Sequence, residues 1–141
     1  MEQVELQLVN DLTAEEKPIV FIVGAARSGT TLLLQYLADS GLFSYPSNII
    51  SRFYQAPYIG AMIHKIMIDL DDKNELFGDE KQIKYLSELG KTNGAGSPNE
   101  FWYFWRRFFK YDGIQKLNGS QLKKIDTDLF FRELQSIAKV F

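Results

Sequence analysis

The chain has 141 residues, 45% of them hydrophobic, with 16 basic side chains against 18 acidic ones and a net charge of −2. That length and apolar content suffice for one soluble domain with a sizeable core, and the charge balance, without a basic stripe, gives no reason to expect nucleic acid as a partner. The absence of cysteine excludes disulfides and thiolate metal sites and argues against redox chemistry.

Residues 1–17 are acidic and mixed, with neither the basic start of a leader nor a long apolar run, and read as a polar N-terminal extension. No window approaches the ~20 apolar residues of a membrane span, so no membrane span is expected and the expected compartment is cytoplasmic. Pro18 opens a buried strand, Ile19-Val20-Phe21-Ile22-Val23, and the stretch Gly24-Ala25-Ala26-Arg27-Ser28-Gly29-Thr30-Thr31 turns it into a helix that starts near Thr30 and stops at Gly41. Residues 42–45 read as a short second strand, Pro46-Ser47-Asn48 as a turn, and 49–56 as irregular or helical. Pro57 suits the first position of a helix, in which Ile59, Met62, Ile63, Ile66 and Met67 recur at helical spacing before charge ends the run at 69–74. A short helix is expected over 81–89, a glycine-bearing loop over 90–97, an aromatic-rich helix over 99–110, a turn region over 111–119, and an amphipathic helix over 127–140.

The stretch from Gly24 to Thr31 reads as a phosphate-binding loop. A strand turning through glycines into a helix leaves backbone N–H groups aimed at one point, where the helix dipole adds positive potential. Its glycine spacing fits the nucleotide pattern G-x-x-x-x-G-K-[ST], but the lysine position holds Thr30 and the cation stands inside the loop as Arg27. Losing that lysine argues against ordinary ATP or GTP hydrolysis.

Arg27-Ser28-Gly29-Thr30-Thr31 resembles the loop with which sulfotransferases hold the 5′ side of 3′-phosphoadenosine 5′-phosphosulfate. Residues 45–57 and 90–109, the latter with Ser97-Pro98-Asn99-Glu100-Phe101-Trp102-Tyr103-Phe104-Trp105, are similar to the central part of bacterial sulfotransferases of the P-loop fold. The resemblance implies an α/β fold, a P-loop-type three-layer sandwich with a parallel sheet, helix-rich and incomplete at its C-terminal side. Residues 1–141 then form a single, partial domain, because one clear strand is too few to close a sheet. The strands, arginine and serine that complete the family's 3′-phosphate site have no counterpart here.

The implied activity is sulfonate transfer to a hydroxyl or amine of a small-molecule, carbohydrate or lipid acceptor, without a metal. Arg27 is the candidate catalytic cation for the transferring group, and the amides of Ser28, Gly29, Thr30 and Thr31, with the threonine hydroxyls, are the candidate cradle for the donor's 5′-phosphate. Thr30 and Thr31 also read as helix-capping residues. Glu100 is the candidate base; the same residue fits a capping box, with Ser97 as N-cap and Pro98 at the first helical position. Asn48 is left as a polar contact at most, and His64 as a partly exposed helix residue. Two other readings stay open: a P-loop nucleotide phosphotransferase, and a non-catalytic fragment that retains an anion-binding loop.

Overall fold

The computed structural model describes residues 2–10, 17–71, 73–75, 77–78, 82–110 and 116–141. Its helices in chain order are α1 (Glu2–Asn10), α2 (Thr30–Asp39), α3 (Pro57–Asp69), α4 (Trp102–Phe108), α5 (Gly119–Leu122) and α6 (Thr127–Ala138). A 3₁₀ helix at Ile50–Phe53 precedes α3, and two short strands, β1 (Ser87–Glu88) and β2 (Lys91–Thr92), precede α4. Among the described residues no helix is long and apolar enough to cross a membrane.

The helices with clear periodicity form where the sequence places them. Pro57 stands at the start of α3, where its missing N–H costs nothing. Asp126 caps α6 by accepting the N–H of Leu129 at 2.9 Å, and Asn118 closes a capping box with Gln121 at the head of α5. One face of α6 then carries Phe130 and Ile137 into a core shared with Ile50, Ala61, Phe101 and Phe104. Phe101 and Phe104 stack with centroids 4.6 Å apart, and Phe130 lies 5.7 Å from Phe104. Arg107 of α4 ties this core to its polar flank, donating to Glu133 of α6 at 2.6 and 3.1 Å and to the Tyr54 carbonyl at 2.8 Å.

A second junction is built from main chain and amides. Segment 46–50 pairs with 92–99: the N–H groups of Asn48, Ile49 and Asn99 donate to the carbonyls of Ser97, Ala95 and Pro46. Asn48 is its hub. Its Nδ2 reaches the carbonyls of Thr92 and Gly94 at 3.1 and 2.8 Å, and its Oδ1 accepts from Asn99 Nδ2 at 2.7 Å. Here the polar contact expected of Asn48 is a structural knot that joins two distant loops.

The α/β three-layer sandwich with a parallel sheet is not what the chain forms. The sheet among the described residues is one antiparallel ribbon of two strands, with Ser87 opposite Thr92 and Glu88 opposite Lys91. Residues 19–23 run without a strand partner, with Val20 59% and Val23 90% exposed, and residues 42–45 are likewise not a strand. The physical reason is that a strand needs a neighbour: alone, an apolar run saves neither its backbone bonds nor its side-chain burial. Phe21 alone finds aromatic company, 5.9 Å from Trp105.

Three smaller expectations also change. The polar extension contains α1, which buries Glu5 and Val9. The helix expected over 81–89 is absent from 82–86 and gives way to β1 at Ser87–Glu88, while Lys81 lies outside the described residues. The aromatic helix starts at Trp102, not Asn99. Residues 111–115 of the expected turn also lie outside the described residues.

Candidate functional site

The loop before α2 is a tight turn without a strand behind it. Ser28 N–H donates to the Ala25 carbonyl at 3.1 Å, and Arg27 and Gly29 take left-handed backbone with φ of 66° and 87°. Gly29 is the N-cap of α2 and offers no side chain to close it, so the first-turn N–H groups open outward at the positive end of a ten-residue helix. The capping role considered for Thr30 and Thr31 falls away, because both stand inside the helix. Ser28 N–H is already used within the turn, which leaves Gly29, Thr30 and Thr31 as the amides of a cradle. Arg27 is exposed beside them, and its guanidinium makes no ion pair among the described residues.

Glu100 reaches this loop. Thr31 Oγ1 donates to Glu100 Oε1 at 3.0 Å, across 69 positions of sequence. The carboxylate lies over Gly90, where an added Cβ would stand 2.8 Å from Oε1. On either side of Glu100 the main chain is fixed. Asn99 is tied to Asn48, its Oδ1 accepts the Phe101 N–H at 2.8 Å, and Phe101 adopts φ 56° with its ring buried. Trp105 Nε1 donates to the Glu100 carbonyl at 2.9 Å.

The capping box expected around Glu100 does not form. Phe101 is the N-cap of α4, Ser97 Oγ donates instead to the Asn93 carbonyl, and Pro98 bridges to Ser47. Thr92 Oγ1 donates to the Pro98 carbonyl at 2.6 Å, so the pairing with 46–50 holds 97–98 out of a helical turn. That leaves the Glu100 side chain for the loop.

His64 is buried, at 5% exposure, where the sequence suggested a partly exposed helix residue. Its Nδ1 lies 2.7 Å from Ser47 Oγ. Ser47 is fully buried and also accepts the Ile50 N–H at 3.2 Å, so the serine–histidine pair lies inside the fold. Among the described residues no group of three or more His, Asp or Glu side chains has the arrangement to hold a metal ion.

The site's chemistry is therefore an anion-facing helix end with an exposed cation, Arg27, and a carboxylate, Glu100, at its mouth. The donors suit an oxyanion; the carboxylate suits removal of a proton and at the same time competes for the hydroxyl of Thr31. Gly90 is the supporting residue that sequence reasoning passed over, and Asn48 the one it left as a polar contact at most. Gly90 carries the one available signal, a glycine at a turn whose φ is 83°. Comparison with known protein families, characterised proteins and solved structures finds no match.

Gly90→Ala should cost about 1–2 kcal/mol for the left-handed backbone and push Glu100 off Thr31. The check is a double-mutant cycle in urea: Thr31→Val should lower stability in the parent chain and change nothing further once Gly90 is alanine.

Proposed function

We propose that the chain is a sulfotransferase that moves a sulfonate group from 3′-phosphoadenosine 5′-phosphosulfate to a hydroxyl or amine acceptor. The observation that carries this reading is the Thr31–Glu100 hydrogen bond of 3.0 Å, which sets a candidate base at the mouth of a loop whose donors suit an oxyanion. The reading rests on residues 27–31 and Glu100, together with the sequence resemblance, and invokes no parallel sheet.

The donor supplies an activated sulfonate and leaves as adenosine 3′,5′-bisphosphate. Glu100 takes the acceptor's proton while the acceptor atom bonds to sulfur; the bond from sulfur to the bridging oxygen breaks, and its electron pair passes to the 5′-phosphate. Arg27 and the amides of Gly29, Thr30 and Thr31 balance the charge that gathers there. The negative charge of Glu100 opposes an incoming oxyanion, so ligand binding should draw the Thr31 hydroxyl away from the carboxylate.

Calorimetric titration with adenosine 3′,5′-bisphosphate tests the reading. Binding that needs no magnesium and weakens roughly ten- to a hundredfold in Arg27→Ala is expected, from the ~1.5–3 kcal/mol of a charge-assisted hydrogen bond. Preference for magnesium-ATP would replace the sulfotransferase by a phosphotransferase. Binding of inorganic phosphate and bisphosphate alike, unchanged by Arg27→Ala, would leave only an anion-binding loop.

A further inference from the structure

α2 is an apolar helix that turns much of its apolar side to solvent. Its buried residues are Gln35 and Ala38, while Leu32, Leu33 and Tyr36, neighbours on another face at spacings of three and four, stand 56%, 47% and 64% exposed. What attaches the helix is polar. Gln35 Nε2 donates to the Lys84 and Leu86 carbonyls at 2.9 and 3.4 Å, Asp39 accepts the Tyr85 hydroxyl at 2.7 Å, and Thr31 donates to Glu100. The elements that pack closely are α3 with the 3₁₀ helix, α6 and α1, α1 with α6, and α4 with the 3₁₀ helix; among the described residues α2 belongs to none of these pairs. Leu42, just past the helix, and Leu86, on the segment that Gln35 holds, are exposed as well.

We propose that this face of α2 is the interface of a symmetric dimer, covered by the same face of a second copy of the chain. The chain exposes 9740 Å², against about 7,500 Å² for a compact monomer of 16.3 kDa. The surplus of about 2,200 Å² is well above the ~800 Å² that each partner gives to a stable interface of ordinary size. Charge favours a second copy as the occupant. Leu32, Leu33 and Tyr36 are uncharged, so the face meets itself across a two-fold axis without repulsion. Asp39 stands at the C-terminal end of its own helix, where a carboxylate is unfavourable and the last turn holds no basic residue. Two α2 helices crossing antiparallel bring each Asp39 beside the positive N-terminal end of the other helix.

Sedimentation of the full chain from about 0.1 to 100 µM tests the dimer, because interfaces of ordinary size range from µM to pM. A species of twice 16.3 kDa is expected, in equilibrium with monomer and nothing larger. Tyr36→Ala should weaken association about tenfold. The double variants Leu33→Lys/Tyr36→Lys and Leu33→Glu/Tyr36→Glu should each weaken it roughly a hundredfold or more, since like charges then meet across the axis. Mixing these two chains, each shown to be folded by circular dichroism, should restore the dimer. The parent series and Tyr36→Ala decide the matter by themselves if a charged chain fails to fold. A parent chain that stays monomeric over the range, a dimer that keeps its full strength in Tyr36→Ala, or folded charged chains that stay monomeric when mixed overturns the proposal. So does a mass that climbs without limit, which edge pairing of residues 19–23 would give.

Discussion

Phe130→Ala should lose about 3–5 kcal/mol in urea-induced unfolding, the range of a buried aromatic truncation. The ring is 4% exposed and lies within 5.3–5.7 Å, centroid to centroid, of Phe104, Trp105, Phe108, Phe109 and Phe131. It also stacks on Phe21 at 6.5 Å, and so with Trp105 it keeps the unpaired 19–23 segment against the helices. Few neighbours can close the void, because α4 and α6 are each fixed elsewhere, α4 through Arg107 and α6 through its cap. A domain of ordinary stability has about 5–15 kcal/mol in hand, so at the lower end of that range the loss takes most of the margin. Phe130→Leu, which retains most of the volume, should recover more than half of the loss. A leucine variant as weak as the alanine one would mean that ring stacking, not volume, holds α4 to α6.

Arg107→Leu should cost a similar amount, about 3–5 kcal/mol, by removing the guanidinium that makes two hydrogen bonds to the buried Glu133. Glu133 is 1% exposed at its side chain, and a second buried carboxylate, Glu5, feels its charge. The substitution also frees the Tyr54 carbonyl and removes a guanidinium that lies 5.1 Å from the centre of the Phe108 ring. Protonation should answer the imbalance, so the loss is largest at neutral pH and shrinks as the solution is acidified. The double variant Arg107→Leu/Glu133→Leu should regain most of the stability, because an apolar pair of similar volume commonly equals a buried ion pair. Urea midpoints of the two single variants and the double variant at neutral and acidic pH decide the matter. A double variant that is weaker than Arg107→Leu would show that the pair is held by geometry that leucine cannot fill.

These two predictions mark where the sequence was readable. α6 and α3 could be located because their apolar residues repeat at the helical period and their ends carry Asp126 and Pro57, all local signals. The run Ile19-Val20-Phe21-Ile22-Val23 has equally strong local signals for a strand, yet a strand is defined by a partner, and that partner is not a property of the run. α1 failed for the opposite reason. Its Glu5 looks like surface polarity in sequence and is in fact the cap of another helix, fifty-three positions away. In the site, Arg27, Thr31 and Glu100 were legible as chemical types in a suggestive order. The contact between Thr31 and Glu100 was not, since it depends on Ser97 and Pro98 being drawn into the pairing with Ser47 and Asn48. That same pairing cancels the local capping signal of Ser-Pro-Asn-Glu, a case in which tertiary bonds outweigh helix-start chemistry.

The knot at Asn48 also bears on how fast the molecule assembles. Its bonds join residues 44 to 51 positions apart, and the entropy of closing so large a loop must be met before any of them forms. Most helix-rich domains avoid this, because their contacts are local and their folding takes microseconds to milliseconds. Here the helices can flicker into place early, but Glu100 finds the α2 loop only after the distant segments have met. The Thr31–Glu100 contact is therefore expected to form after that closure, at a rate set by topology more than by helix content.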